Sequence, residues 1–170
     1  MKSGFTLIEL LVVLIIISLV SAFVAPRITA PLGNLNLKTA SKKIVSALRY
    51  ARSQAVSENE GRVAIFDFEL RRLMLFKGSD LPATYRADEL PLDKAELVYD
   101  LPENTRFDQA VSGEKKISEG LFQVPFFPNG SSNGGELILT NEGGLSYRIK
   151  IDFITGLASL EVSDRRADGI

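Results

Sequence analysis

Residues 4–24 read GFTLIELLVVLIIISLVSAFV, from Gly4 to Val24, and Glu9 is the one charged residue in the run. At 1.5 Å of rise per residue, a helix of about 20 residues spans the roughly 30 Å hydrocarbon core of a bilayer. No other stretch of the 170 residues is apolar for so long. The chain therefore divides into an anchor and a remainder long enough for one compact domain.

Composition narrows what that domain can do. The net charge is −1, so no global field draws the protein to nucleic acid or anionic lipid. There is no Cys, which removes disulfides, thiolate nucleophiles and iron–sulfur ligation. There is no His, which removes the commonest general base and transition-metal ligand. A structural role is expected, not an enzymatic one, with no cofactor and no small-molecule substrate.

The anchor has three readings. As a retained membrane helix, it carries Lys2 before the run and no further basic residue until Arg27 and Lys38; this charge bias places the N-terminus in the cytoplasm and the domain across the membrane. As a cleaved secretory signal, it offers Val20-Ser21-Ala22 as a small-residue cleavage site and a mature start near Phe23. The run is long for such a signal, however, and it holds a carboxylate. A buried core helix is the third reading, disfavoured by length.

Glu9 bears on the choice. A charge inside a membrane helix costs a few kcal/mol and is rarely placed there without a partner. A Glu near a helix end can also snorkel to the interface or sit protonated. Were the chain cut after Gly4, Phe5 would carry a new α-amino group one helical turn from Glu9. A neighbouring copy, shifted along the axis, would present its own amine to that carboxylate.

Gly4-Phe5-Thr6-Leu7-Ile8-Glu9, followed by the apolar tail to Val24, resembles the N-terminus of type IV pilins and type II secretion pseudopilins. The resemblance implies that a membrane-embedded prepilin peptidase cuts between Gly4 and Phe5 and N-methylates Phe5. It implies that Glu9 sets register during assembly into a filament, and that Pro26 kinks the helix, as a residue lacking a backbone donor would. The expected divisions are a leader at 1–4, a filament-core helix at 5–25, a bend or linker at 26–36, and an α+β head at 37–170.

Within the head, Leu37, Ala40, Ile44, Ala47, Leu48, Ala51 and Ala55 fall on one helical face. They predict a helix over 37–59, with Gly61 as its left-handed stop. Lys42, Lys43, Arg49 and Arg52 lie mostly off that face and read as solvated. After Gly61 the period becomes two. Strands are expected at 62–68, 70–76, 96–101, 105–107, 121–127, 136–140, 146–153 and 157–162, with 77–95 irregular, 112–120 a polar separator, and a polar tail from Ser163. One long helix followed by antiparallel strands gives a pilin-like α+β class.

Ala51-Arg52-Ser53-Gln54-Ala55, Phe127-Pro128-Asn129-Gly130 and the strand pair across Thr155-Gly156 resemble the minor pseudopilins of the GspH/FimT class. That resemblance implies a minor subunit of a type II secretion pseudopilus, held in the inner membrane with its head in the periplasm. Its partners would be inner-membrane lipid, the prepilin peptidase, and other major and minor pseudopilins. The major class carries an Asp-bearing calcium loop. Here loop 129–135 has no Asp and Asp164 and Asp168 lie in the tail, so no metal site is expected. The alternative is a FimT-type minor type IV pilin that binds DNA for uptake, for which Arg165-Arg166 is the basic spot.

Other candidates have plainer explanations. Loop 129–135 is Gly-rich but lacks the Lys and following helix of a phosphate loop, and reads as a flexible connection. Asp67 and Glu69 flank a turn and read as solvated. Phe122, Phe126 and Phe127 suit a core or a subunit contact.

Overall fold

A computed structural model of the protein describes residues 6–24, 29–82 and 84–163. Two helices, α1 (Leu7–Val24) and α2 (Thr29–Ser57), precede nine strands. These are β1 (Arg62–Asp67), β2 (Arg72–Lys77), β3 (Leu97–Asp100), β4 (Thr105–Ser112), β5 (Lys115–Ile117), β6 (Leu121–Phe126), β7 (Gly135–Asn141), β8 (Ser146–Ile151) and β9 (Ala158–Ser163). The strands form two antiparallel sheets, in order β3-β2-β1-β6 and β5-β4-β7-β8-β9.

Helix α2 begins at Thr29, eight residues before the expected Leu37, so 29–36 is helix and not a bend. Pro31 is no obstacle there. It occupies the first turn, whose backbone N–H groups have no intrahelical acceptor to lose. The left-handed residue that closes α2 is Asn59 (φ 51°), not Gly61. Around it, Glu60 N–H donates to Ala55 O and Asn59 N–H to Val56 O, the paired bonds of a Schellman end.

All seven apolar positions read from the α2 periodicity are buried, and Leu37, Ile44, Leu48 and Ala55 have no exposed surface. The alanines let this face lie close to both sheets, and it contacts strands of each. Phe66 of β1 meets Phe107 of β4 edge-to-face at 5.5 Å and stacks on Phe122 of β6 at 5.7 Å, so aromatic contacts tie one sheet to the other under the helix.

Three strand expectations need correction. β1 and β2 are buried nearly throughout, without half-buried alternation. The segment expected to be irregular folds over their far face: it carries 3-10 turns at Gly78–Asp80, Ala87–Glu89 and Leu92–Lys94, and Leu90 packs with Ile65, Met74 and Phe76. β4 runs on to Ser112, with a register shift between Phe107 and Gln109. Part of the expected polar separator is β5, a three-residue edge strand whose two lysines suit an unpaired edge.

Candidate assembly surface and the clamps of the head

Helix α1 starts where Thr6 O accepts the N–H groups of Glu9 and Leu10, at 3.1 and 3.3 Å. Every described side chain from Thr6 to Ser21 is exposed. The large apolar ones surround the helix, from Leu7 at 83% exposure to Val13 at 44%. The polar hydroxyl of Ser18 is turned back onto Leu14 O at 2.8 Å. A helix apolar on all sides has no single face to bury on its own domain, and an apolar surface of this extent calls for lipid or other helices as cover. Glu9 lies in the first turn, the only charged side chain described on α1. The N-terminal end of a helix dipole favours a carboxylate at that place. Gly4, Phe5 and Pro26 lie outside the described residues, as do Asp164, Arg165, Arg166 and Asp168. Among the described residues, no helix is long and apolar enough to cross a membrane.

In the head, the three family-like motifs meet in space. Arg52 of α2 donates through Nε to Gly130 O at 3.1 Å and to Thr155 O at 2.5 Å, joining the end of the helix to two loops 78 and 103 residues away. The glycines leave room for it. At Gly156 (φ 63°) a Cβ would stand 2.4 Å from Gly130 O, and at Gly130 (φ 83°) it would stand 3.1 Å from an Arg52 guanidinium nitrogen. Arg49 likewise donates through Nε and Nη2 to Ala158 O, at 3.1 and 3.0 Å, and Lys43 lies 5.1 Å from the ring centre of Tyr99. Three of the four basic residues expected to be solvated are therefore engaged within the head, and Lys42 stands exposed.

Loop 129–135 is likewise no loose connection. Phe127 N–H donates to Ser131 O at 2.9 Å and Gly130 N–H to Phe127 O at 2.8 Å. Ser132 is buried, donates its hydroxyl to Asp152 O and accepts from Gly134 N–H. Asp67 is also not solvated: it is 2% exposed, and its Oδ1 accepts from the N–H groups of Glu69 and Leu70, fixing the β1–β2 turn. Glu69 is exposed. Phe122 and Phe126 are core, whereas Phe127 is exposed.

Sequence reasoning missed one cluster altogether. The guanidinium of Arg62, at the start of β1, is fully buried. It meets Glu58 Oε2 at 2.5 Å, Glu96 Oε2 at 2.9 Å and Glu60 Oε2 at 3.3 Å, and Lys77 approaches Glu58 at 3.5 Å. Burial pulls the Arg62 pKa down, but the bonds to Glu58 and Glu96 outweigh it and leave it raised. Hydrogen bonding from Arg62 lowers Glu58, and hydrogen bonding from the Ser79 hydroxyl lowers Glu60. The available signal was the crowding of Glu58, Glu60 and Arg62, which nothing local distinguishes from a solvated run. The cluster holds no nucleophile and no base placed toward a substrate; it closes the junction of α2, β1 and β3.

The family described as type II transport protein GspH matches residues 40–155, and the prokaryotic N-terminal methylation motif matches residues 1–25. Type II secretion system protein H of Xanthomonas campestris pv. campestris is 28% identical over 155 residues, which cover 90% of this chain and 79% of that protein. The minor pseudopilin EpsH from the type II secretion system of Vibrio cholerae has a similar fold, at 15% identity and a TM-score of 0.57 over 76% of this chain and 96% of that one. So has the type IV minor pilin FimU of Pseudomonas aeruginosa, at 17% identity and 0.51 over 74% and 92%. The two structures share the pilin-like architecture of one helix on antiparallel sheets and do not separate secretion from pilus; the match across the head does, and the chain belongs to the GspH family, the structural, non-enzymatic minor pseudopilins of type II secretion.

Proposed function

We propose that the chain is anchored in the inner membrane through residues 5–25, with its N-terminus cytoplasmic and its head periplasmic, and that it joins other pseudopilins in the short periplasmic filament that supports export across the outer membrane. The prepilin peptidase cuts between Gly4 and Phe5 and methylates the amine of Phe5. Glu9 meets the Phe5 amine of a neighbouring subunit and sets axial register, and Pro26 loosens the helix below the head. The observation that carries this reading is α1: apolar on every described face, exposed along its described length, and bearing a single carboxylate in its first turn. The methylation motif over residues 1–25 supports the processing step.

The test is Glu9→Ala in cells that assemble the filament. The variant is expected to insert and be processed as the parent is, and to be missing from sheared or cross-linked filaments. Normal incorporation contradicts the role of Glu9. A bulkier residue at Gly4 is expected to leave the leader attached. The DNA-binding alternative gains nothing from Arg49 and Arg52 of α2, which are spent on carbonyls of the head. A gel shift of duplex DNA with a steep salt slope would revive it.

A further inference from the structure

At the end of α2 opposite the residues that lead to α1, five large apolar side chains stand in the open: Val56 in the last turn of the helix, Phe127, and Phe153, Ile154 and Leu157 of the turn between β8 and β9. Ile154 and Phe153, at 77% and 67%, are the most exposed large apolar side chains described beyond α1. Their segments meet around the Arg52 clamp. Ser132 N–H donates to Phe153 O at 3.2 Å and Gly130 N–H to Phe127 O at 2.8 Å, and a Cβ at Gly130 would stand 3.4 Å from Val56 Cγ2.

The turn that carries Phe153 and Ile154 is fixed. Asp152 Oδ1 accepts from Ile154 N–H at 3.0 Å, from Thr155 N–H at 2.7 Å and from the Thr155 hydroxyl at 2.8 Å. A fixed turn loses little freedom on binding, so the two side chains are ordered before a partner arrives. The polar side chains between them, Asn129, Ser131 and Thr155, are uncharged, and Arg52 is turned to loop carbonyls. Aromatic and aliphatic groups without charge are the composition of the centre of a protein interface. Nucleic acid and anionic lipid would find no free cation among them.

Five such side chains expose on the order of 500 Å², less than the roughly 800 Å² per partner of a stable interface. The contact therefore suits a neighbour that a second interface already holds in place. In the assembly proposed above α1 is that second interface, and every subunit enters from the same bilayer. Heads that share one direction meet end to tail, the heterologous contact that extends a helical array. Arg52 lies about 35 Å along α2 from Thr29, which sets this crown at the end away from the anchor. The opposite end of the same head exposes Leu35 and Leu70, an apolar surface of the kind the crown would take from a neighbouring head.

We propose that the crown docks the anchor-side end of the next pseudopilin head farther out in the filament, so that this chain has a subunit above it and is not the outermost one. This rests on the assembly role proposed above and assigns one surface within it.

A photo-reactive benzophenone side chain is placed at position 154 of the full chain in cells that assemble the filament. Sheared filaments are irradiated, and the adduct is mapped by peptide mass spectrometry. The expected partner peptide comes from the anchor-side half of the head of another chain that bears the N-terminal methylation motif. The same group at position 92, where exposed Leu92 sits over the far face of β1 and β2, is expected to give no such adduct. Ile154→Asp is expected to lower the share of processed chain found in filaments about tenfold, because docking would bury an unpaired carboxylate. It should leave the thermal midpoint of the chain in detergent unchanged, since the side chain projects into solvent. Ile154→Leu is expected to incorporate as the parent does. An adduct to lipid, to a protein without the motif or to the crown of a second copy overturns the proposal, as does normal incorporation of Ile154→Asp. Parent chain present in filaments without a head adduct refutes the crown alone; parent chain absent from filaments refutes the assembly role as well.

Discussion

Gly156→Ala is expected to destabilise the head far more than exchanging one hydrogen for a methyl group in a turn would suggest. Two costs combine. At φ 63° an alanine bears the left-handed penalty of about 1–2 kcal/mol. Its Cβ would also sit 2.4 Å from Gly130 O, so the 127–131 loop must retreat by about 1 Å to reach ordinary contact. That oxygen accepts from Arg52 Nε at 3.1 Å, and Thr155 O, adjacent to the substitution, accepts from the same nitrogen. Losing one hydrogen bond to a charged donor costs about 1.5–3 kcal/mol. Together these give about 3–4 kcal/mol, or a fall in melting temperature of about 10 °C at this size. Gly144→Ala supplies the control: its φ is 79° and a Cβ there meets nothing within 4 Å, so only the backbone cost of about 1–2 kcal/mol applies. Denaturant unfolding of the full chain in detergent, followed by near-ultraviolet circular dichroism of its tyrosines, measures both. If the two variants unfold at the same midpoint with the same slope, the Arg52 clamp does not hold the loops as described.

The Arg62 cluster yields two further expectations. Arg62→Met is expected to cost about 2–3 kcal/mol in the same unfolding assay, below the 3–5 kcal/mol of breaking a wholly buried pair, because Glu58 and Glu60 are partly exposed and can rehydrate; an unchanged midpoint would refute it. Acid should act through the same groups. Glu58 and Glu60 bind protons more weakly folded than unfolded, so their contribution is complete above their ordinary value of 4.5 and is lost as pH falls through the lowered folded values. Stability should be level from about pH 7 to 5 and fall below about 4.5, with a shallower fall in Arg62→Met; a parallel fall in both proteins would assign the acid sensitivity elsewhere.

What the sequence disclosed and what it hid divide along range. The 3.6-residue spacing from Leu37 to Ala55 is a local pattern imposed by one buried face, and it marked the buried positions of α2 residue by residue. The start of α2 was hidden because Pro31 carries a breaker signal that loses its force in a first turn. Burial of β1 on both faces was hidden because the cover comes from Leu90 and its neighbours, a segment without periodicity of its own. The clamps were hidden for a similar reason: Arg52 reaches carbonyls, and a carbonyl acceptor leaves no trace in residue identity. Only the glycines at 130 and 156 hint at it, through the space they leave. The assembly end reads the other way. Gly4, Phe5 and Glu9 stand out in the sequence because the insertion and cleavage proposed for them would act on a short continuous segment. Of these, Glu9 alone is among the described residues.

The mass and N-terminal sequence of the chain extracted from the inner membrane bear most directly on whether α1 serves as a processed assembly helix. The expected polypeptide begins at Phe5, lacks Met1 to Gly4, and carries one methyl group on its α-amine. A chain that still begins at Met1, or one that begins near Phe23, contradicts it, since Glu9 would then have no neighbouring Phe5 amine to meet.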